Sequence, residues 1–279
     1  MLKNVGLIFL IAMVAWAYHS ISPPPPTPCG APGGPPVTAL RIKLRDGRYL
    51  AYKESGVPKE NAKFKIVFAH GFSSCRHDVV IATQLSQEVI EELGVHIVSF
   101  DRPGYGESDP HPKRTMKSMA LDVEELADQL GLGHSFYLVG FSMGGHTVWS
   151  CLKYIPHRMP DKLSLQDLQL ISKVIPLKAN HQDQVKQQGE YESIHRDMMI
   201  GFGGWEFSPM DLANPFPNGN GSVHLWQGDE DGLVPVTLQR YIAKRLPWIK
   251  YHEIAGAGHL FPFVQGMVET IVRELLGEK

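Results

Sequence analysis

Along most of this chain, short runs of nearly continuous apolar residues alternate with longer stretches in which apolar positions recur at helical spacing. FKIVFA (64–69), VHIVSF (95–100) and SFYLVG (135–140) are the runs expected of strands covered on both faces. Between the first two, about 78–93, Val80, Ile81, Leu85, Val89 and Ile90 predict a helix. TMKSMALDVEELADQLGL (115–132) predicts a second, with Met119, Leu121, Val123, Leu126 and Leu130 on one side. Further on, SVHLWQG (222–228) and IKYHEI (249–254) read as strands around a helix in VTLQRYIAKRLP (236–247). Near the front, ALRIKL (39–44) and RYLAYKES (48–55) are joined by Arg45-Asp46-Gly47-Arg48, whose Asp-Gly pair signals a hairpin. Strands alternating with helices imply right-handed crossovers, a mainly parallel sheet and helices on both faces: an α/β fold. Ligands of such sheets bind beyond the carboxyl ends of the strands, where His70, Asp101 and Ser142 all fall.

The first residues break this pattern. After Lys3, the stretch from Val5 to Tyr18 is uncharged, and residues 22–36 are rich in proline and glycine. Three readings compete: a signal peptide cut after Ala17, an uncleaved membrane anchor, or a buried helix of the domain. The proline-rich stretch argues against close packing back onto the domain. The expected organisation is therefore an N-terminal hydrophobic segment (1–20) anchoring the protein in an endomembrane, a linker (21–37) and one domain (38–279). Lys3 would keep the amino terminus cytosolic and place the rest on the lumenal side, with secretion after cleavage as the alternative.

Composition narrows the function. A length of 279 residues with 43% apolar content suits one α/β domain. A net charge of −2 without a basic run gives no sign of nucleic-acid binding. Cys29, Cys75 and Cys151 are few, odd in number and far apart, so neither a disulfide framework nor a CxxC site is expected. The histidines show no HExxH spacing, and no metal or cofactor is predicted.

The chemistry centres on Gly140-Phe141-Ser142-Met143-Gly144, a G-x-S-x-G sequence between a strand and a helix. Glycines on either side let strand and helix approach around a strained turn that lifts the hydroxyl above the sheet. A serine hydroxyl is a weak nucleophile and needs a base and a group to orient that base. In this arrangement both come later, an acid and then a histidine. SVHLWQGDEDGLVPV supplies Asp229, Glu230 and Asp231 after a strand; IKYHEIAGAGHLFPF supplies His259 after the next.

FAHGFSSCRHD, SFDRPGYGESDP, GFSMGG, LWQGDEDGLVPV and GAGHLFPF occur in an order that resembles the α/β-hydrolase superfamily, in particular the membrane-anchored hydrolases of plants. The resemblance spans roughly residues 38–279. It implies Ser142 as nucleophile, His259 as base and Asp231 as the acid, with Asp229 as the fallback. The backbone N–H groups of Phe72 and Met143 would form the oxyanion hole. A serine at this turn argues against the epoxide-hydrolase and dehalogenase branches, which place aspartate there. His70 is expected to shape its loop, and Asp101–Gly106 to brace the site.

One stretch departs from the family. A parallel strand is expected directly after the helix that follows Ser142, and the sequence offers only ISKVIPL, interrupted by Pro176. Either residues 173–177 form a short irregular strand, or the chain lacks the strand and the front of its lid. The rest of a reduced lid region, about 160–221, reads as helices near 164–175 and 182–200. The expected activity is that of a serine hydrolase acting on a small-molecule ester or similar acyl compound. A small-molecule receptor built on the same fold, or a catalytically impaired shortened form, is the alternative.

Overall fold

The computed structural model describes residues 2–159, 167–168, 182–218 and 221–278. A helix α1 (Leu2–Ile21) precedes the hairpin β1 (Leu40–Lys43) and β2 (Tyr49–Gly56). Then come β3 (Phe64–Ala69), α2 (Val80–Gln84), α3 (Gln87–Leu93), β4 (Val95–Phe100), α4 (Met116–Gln129), β5 (Tyr137–Phe141) and α5 (Gly145–Tyr154). After β6 (Asp167–Leu168) follow the cap helices α6 (Gln182–Val185) and α7 (Arg196–Gly201), the latter entered through a π-helical turn at Tyr191–His195. The chain ends with β7 (Val223–Gly228), α8 (Val236–Arg245), β8 (Ile249–Ile254) and α9 (Met267–Leu276).

Six strands pair in the order β1-β2-β4-β3-β5-β6, and β7 pairs with β8. The β3–β4, β3–β5, β5–β6 and β7–β8 ladders are parallel; β1–β2 and β2–β4 are antiparallel. Alternation along the central strands divides the core. Val67, Val98 and Leu138 face α4 and α5, where Val123, Leu126, Val148 and Leu152 cover them. Ile66, Phe68, Ile97 and Val139 face the other way, against Ile81, Ile90, Ile271 and Leu275. The mainly parallel sheet with helices on both faces is thus the α/β architecture that the periodicity predicts.

The differences have local causes. The single helix expected over 78–93 is two, because Ser86 adopts an extended conformation and caps α3 by accepting the N–H of Val89. The helix expected over 182–200 is divided at Gly189, whose φ of +125° few other residues adopt. Asp167 and Leu168, read as lid helix, instead extend the sheet, pairing with Gly140 and Phe141. They also lie near β7, so the place beside the serine's strand is occupied by a segment with no apolar run to announce it. The remainder of the helix expected near 164–175, and the strand proposed at 173–177, lie outside the described residues.

The membrane anchor requires correction. Among the described residues no helix is long and apolar enough to cross a membrane. The apolar stretch from Val5 to Tyr18, which ends at His19-Ser20, is 14 residues. At a rise of about 1.5 Å per residue it covers about 21 Å, against about 30 Å of hydrocarbon. The endomembrane placement that rested on the anchor falls with it. The proline-rich stretch also makes contact with the domain: the N–H of Thr27 donates to the carbonyl of Gln188, and that of Cys29 to the Gln188 side chain at 2.9 Å.

Candidate active site

Ser142 sits where β5 runs out, with φ of +51°, a conformation that side-chain-bearing residues rarely adopt. Its neighbours explain how the turn closes. A Cβ added to Gly144 would lie 2.1 Å from the carbonyl oxygen of Ala69, and one on Gly140 would lie 2.5 Å from that of Gly144. Neither obstacle is a flexible side chain. Gly144→Ala is therefore expected to destabilise the fold by about 3 kcal/mol or more, visible as a large drop in melting temperature or loss of soluble protein.

Asp231 follows β7 and His259 follows β8, so both reach the carboxyl end of the sheet with Ser142. Their approach again depends on a glycine: a Cβ on Gly228 would lie 2.1 Å from the carbonyl oxygen of Ala257 in the Gly-Ala-Gly turn. His259 Nδ1 lies 2.9 Å from Asp231 Oδ2 and 3.0 Å from Oδ1. Its Nε2 lies 3.5 Å from Ser142 Oγ. With the Nδ1 proton donated to the carboxylate, Nε2 is left to accept from the hydroxyl.

The carboxylate is itself held. Oδ1 accepts the N–H groups of Leu233 and Val234 at 2.8 and 2.9 Å, and Oδ2 accepts from Gln227 Nε2 at 2.9 Å. Burial would raise the Asp231 pKa, but the bonds from His259, Val234 and Leu233 outweigh it and hold the group below the usual carboxylate range. Asp229 serves elsewhere, accepting the N–H of Gly256 at 2.7 Å. Of the two acids considered for the site, only Asp231 meets the imidazole.

Gly71 packs against the serine's turn, where an added Cβ would come 3.1 Å from Ser142 Cβ. Phe72 is the next residue, and among the described residues neither its N–H nor that of Met143 donates to another loop or to a side chain. His70 shapes this loop from beneath: its Nε2 accepts the N–H of Arg102 at 3.0 Å, which leaves the proton on Nδ1 to donate to the Gly71 carbonyl at 2.8 Å. Asp101 accepts the N–H groups of Arg76 and Glu107 and pairs with the Arg76 guanidinium, bracing the loop after β4.

A cavity of about 550 Å³ opens on Ser142 between the cap segment and α8. Trp149, Phe202, Trp205, Phe207 and Tyr241 dominate its wall, and among the described residues that line it none is charged. His146, also in the wall, is pushed down to about 4 by burial and is neutral at pH 7.

One cluster has the residue types of a metal site. The ligand atoms of His224, His252 and Glu274 lie within 4.8 Å of one another. His224 Nδ1 and His252 Nε2 are hydrogen-bonded at 3.0 Å, and His224 Nε2 meets Ser222 Oγ at 2.9 Å. The two imidazoles thus engage each other and the Ser222 hydroxyl.

Sequence reasoning did not find Gln227, although a glutamine inside the run VHLWQG is a polar residue where only apolar ones belong. It also missed Asp197, one acid in the mixed stretch HRDMMIG, for which the sequence carries no signal.

A sequence model of the alpha/beta hydrolase family matches residues 66–273. The chain belongs to that family. Among curated proteins, this alpha/beta hydrolase is 28% identical over 123 residues to a Bacillus subtilis (strain 168) protein whose name assigns it provisionally as a 2-succinyl-6-hydroxy-2,4-cyclohexadiene-1-carboxylate synthase. The match covers 43% of this chain and 41% of the length of that relative. Among solved structures, the enol-lactonase of Burkholderia xenovorans LB400 superposes with a TM-score of 0.66 at 16% identity, over 85% of this chain and 100% of that one. The esterase EaEST of Exiguobacterium antarcticum gives 0.65 at 16% identity, over 86% and 100%. At these identities the likeness establishes the shared fold.

Proposed function

We propose that this alpha/beta hydrolase is a serine hydrolase that cleaves a neutral carboxylic ester with an apolar acyl or aryl group. The observation that carries the reading is the hydrogen-bonded line from Ser142 Oγ through His259 to Asp231, drawn from three separate strand ends. Ser142 Oγ attacks the ester carbonyl while its proton passes to His259 Nε2. Asp231 holds the imidazole tautomer and stabilises the imidazolium. The N–H groups of Phe72 and Met143 receive the oxyanion, a role in which one donor contributes on the order of 3 kcal/mol. Collapse breaks the bond to the alcohol, which leaves with the proton from Nε2. Water then attacks the acyl-serine by the same route, releasing the acid and restoring the hydroxyl.

The esterase and lactonase names among the structural neighbours agree with this substrate class. The aromatic wall, uncharged among the described residues, favours neutral over anionic acyl groups. For p-nitrophenyl esters, kcat/KM is expected to rise from acetate toward medium-chain acyl groups, by up to about fourfold per buried CH₂. Many turnovers per molecule are expected in a progress curve. One product per protein molecule would instead favour the receptor reading, and no release would refute the assignment.

A further inference from the structure

The loop that carries the proposed Phe72 donor is held from behind by a buried charge cluster with no part in the chemistry above. Arg102, in the loop directly after β4, donates from Nε to the carbonyl of His70 and from Nη2 to the carbonyl of Gly71, both at 2.9 Å. The Gly71 carbonyl also accepts from His70 Nδ1, so two donors fix it. The carbonyl of Gly71 and the N–H of Phe72 belong to one peptide, and the described chain contains no cis peptide bond. In a trans peptide these groups point in opposite directions. Fixing the oxygen therefore fixes the direction of the N–H, and polarising it strengthens the N–H as a donor.

Arg102 is in turn held by the cap. Its guanidinium makes a bidentate pair with Asp197 of α7, at 2.5 and 2.7 Å, and Tyr105 Oη donates to the same carboxylate at 2.8 Å. All three groups are buried. Burial would raise the Asp197 pKa, but the Arg102 charge and its hydrogen bonds hold it down, to about 2. Arg114 approaches Asp197 at 3.4 Å and donates to the Pro103 carbonyl, but it makes no bond to residues 70–72. The helix bearing Asp197 leads directly into Gly201 and Phe202, which line the cavity.

We propose that Asp197 is a positioning residue that, through Arg102, couples the seating of the cap over the cavity to the orientation of the Phe72 N–H. The consequence for catalysis rests on the ester-hydrolase reading; the effect on the loop does not. A cap seated by substrate would keep the donor aligned, and a cap lifted from the site would release it.

Asp197→Asn leaves two buried guanidinium groups facing no carboxylate and could fail to fold. The variant Asp197→Asn/Arg114→Gln removes one charge of each sign and keeps the net charge of the cluster. Arg114→Gln alone is the control. Two measurements are made on the full chain: amide exchange of the loop over residues 70–74, and kcat, KM and phenylboronic acid inhibition with a p-nitrophenyl ester. In the double variant, exchange in that loop is expected to rise at least about tenfold over both wild type and control. Its kcat is expected to fall roughly 10–100-fold with KM little changed, and boronic acid affinity to fall by a similar factor. Restoring the carboxylate as Asp197→Glu should recover part of both. Unchanged loop exchange in the folded double variant would overturn the coupling. So would an equal rise in the control, which would mark a general loss of packing. If wild type turns over no ester, the hydrolase reading fails, and the exchange measurement still decides the coupling.

Discussion

Replacing Ser142 with alanine is expected to lower kcat for ester hydrolysis by roughly 10⁴–10⁶-fold while shifting the melting temperature little. The loss is large because the cysteines cannot take over as nucleophiles. The thiols of Cys29, Cys75 and Cys151 are all buried. Burial, followed by nearby acidic groups, pushes Cys29 up to about 11 and Cys75 up to about 12, so neither supplies a thiolate at neutral pH. The fold should tolerate the change because the hydroxyl's one described hydrogen bond is the 3.5 Å contact to His259, and alanine occupies the same turn with the same φ. Steady-state kinetics and a thermal melt on the same preparation check both parts.

Asp231→Asn is expected to lower kcat by about 10⁴-fold, whereas Asp229→Asn should change it by less than about threefold. The hydrogen-bond pattern gives the reason. Oδ1 of Asp231 accepts two backbone N–H groups, so an asparagine must place its oxygen there. Its amide nitrogen then takes the place of Oδ2, facing His259 Nδ1 and Gln227 Nε2. An N–H directed at Nδ1 favours the tautomer with the imidazole proton on Nε2, which can no longer accept from Ser142. Asp229 makes no such contact; its loss removes the bond to Gly256 at the surface of the turn. Equal effects of the two substitutions, measured by kcat, would reassign the acid.

How much of this was legible in the sequence depended on what encoded it. Near-continuous apolar runs located β3, β4, β5 and β7, because strands buried on both faces are dominated by apolar residues. Glycines marked the tight approaches, and the cause at Gly140, Gly144 and Gly228 is a backbone oxygen that fills the space of a Cβ. The order of Ser142, Asp231 and His259 followed from motifs whose spacing reflects intervening elements. The strand at Asp167–Leu168 had no such signature: two residues paired along one edge require no apolar pattern. The N-terminal run was read by hydropathy and overextended, since composition alone does not supply the length a bilayer needs. Asp197 was invisible because its partners, Arg102 and Tyr105, lie more than ninety residues away, and pairing at that distance leaves no local trace.

The most direct test of the reactive-serine assignment is covalent capture: the full chain is treated with a fluorophosphonate probe and the adduct located by peptide mass spectrometry. A single adduct on the peptide containing Ser142, absent in Ser142→Ala and formed far more slowly in His259→Ala, is the predicted result. An adduct on another residue, or equal labelling of wild type and Ser142→Ala, would contradict it.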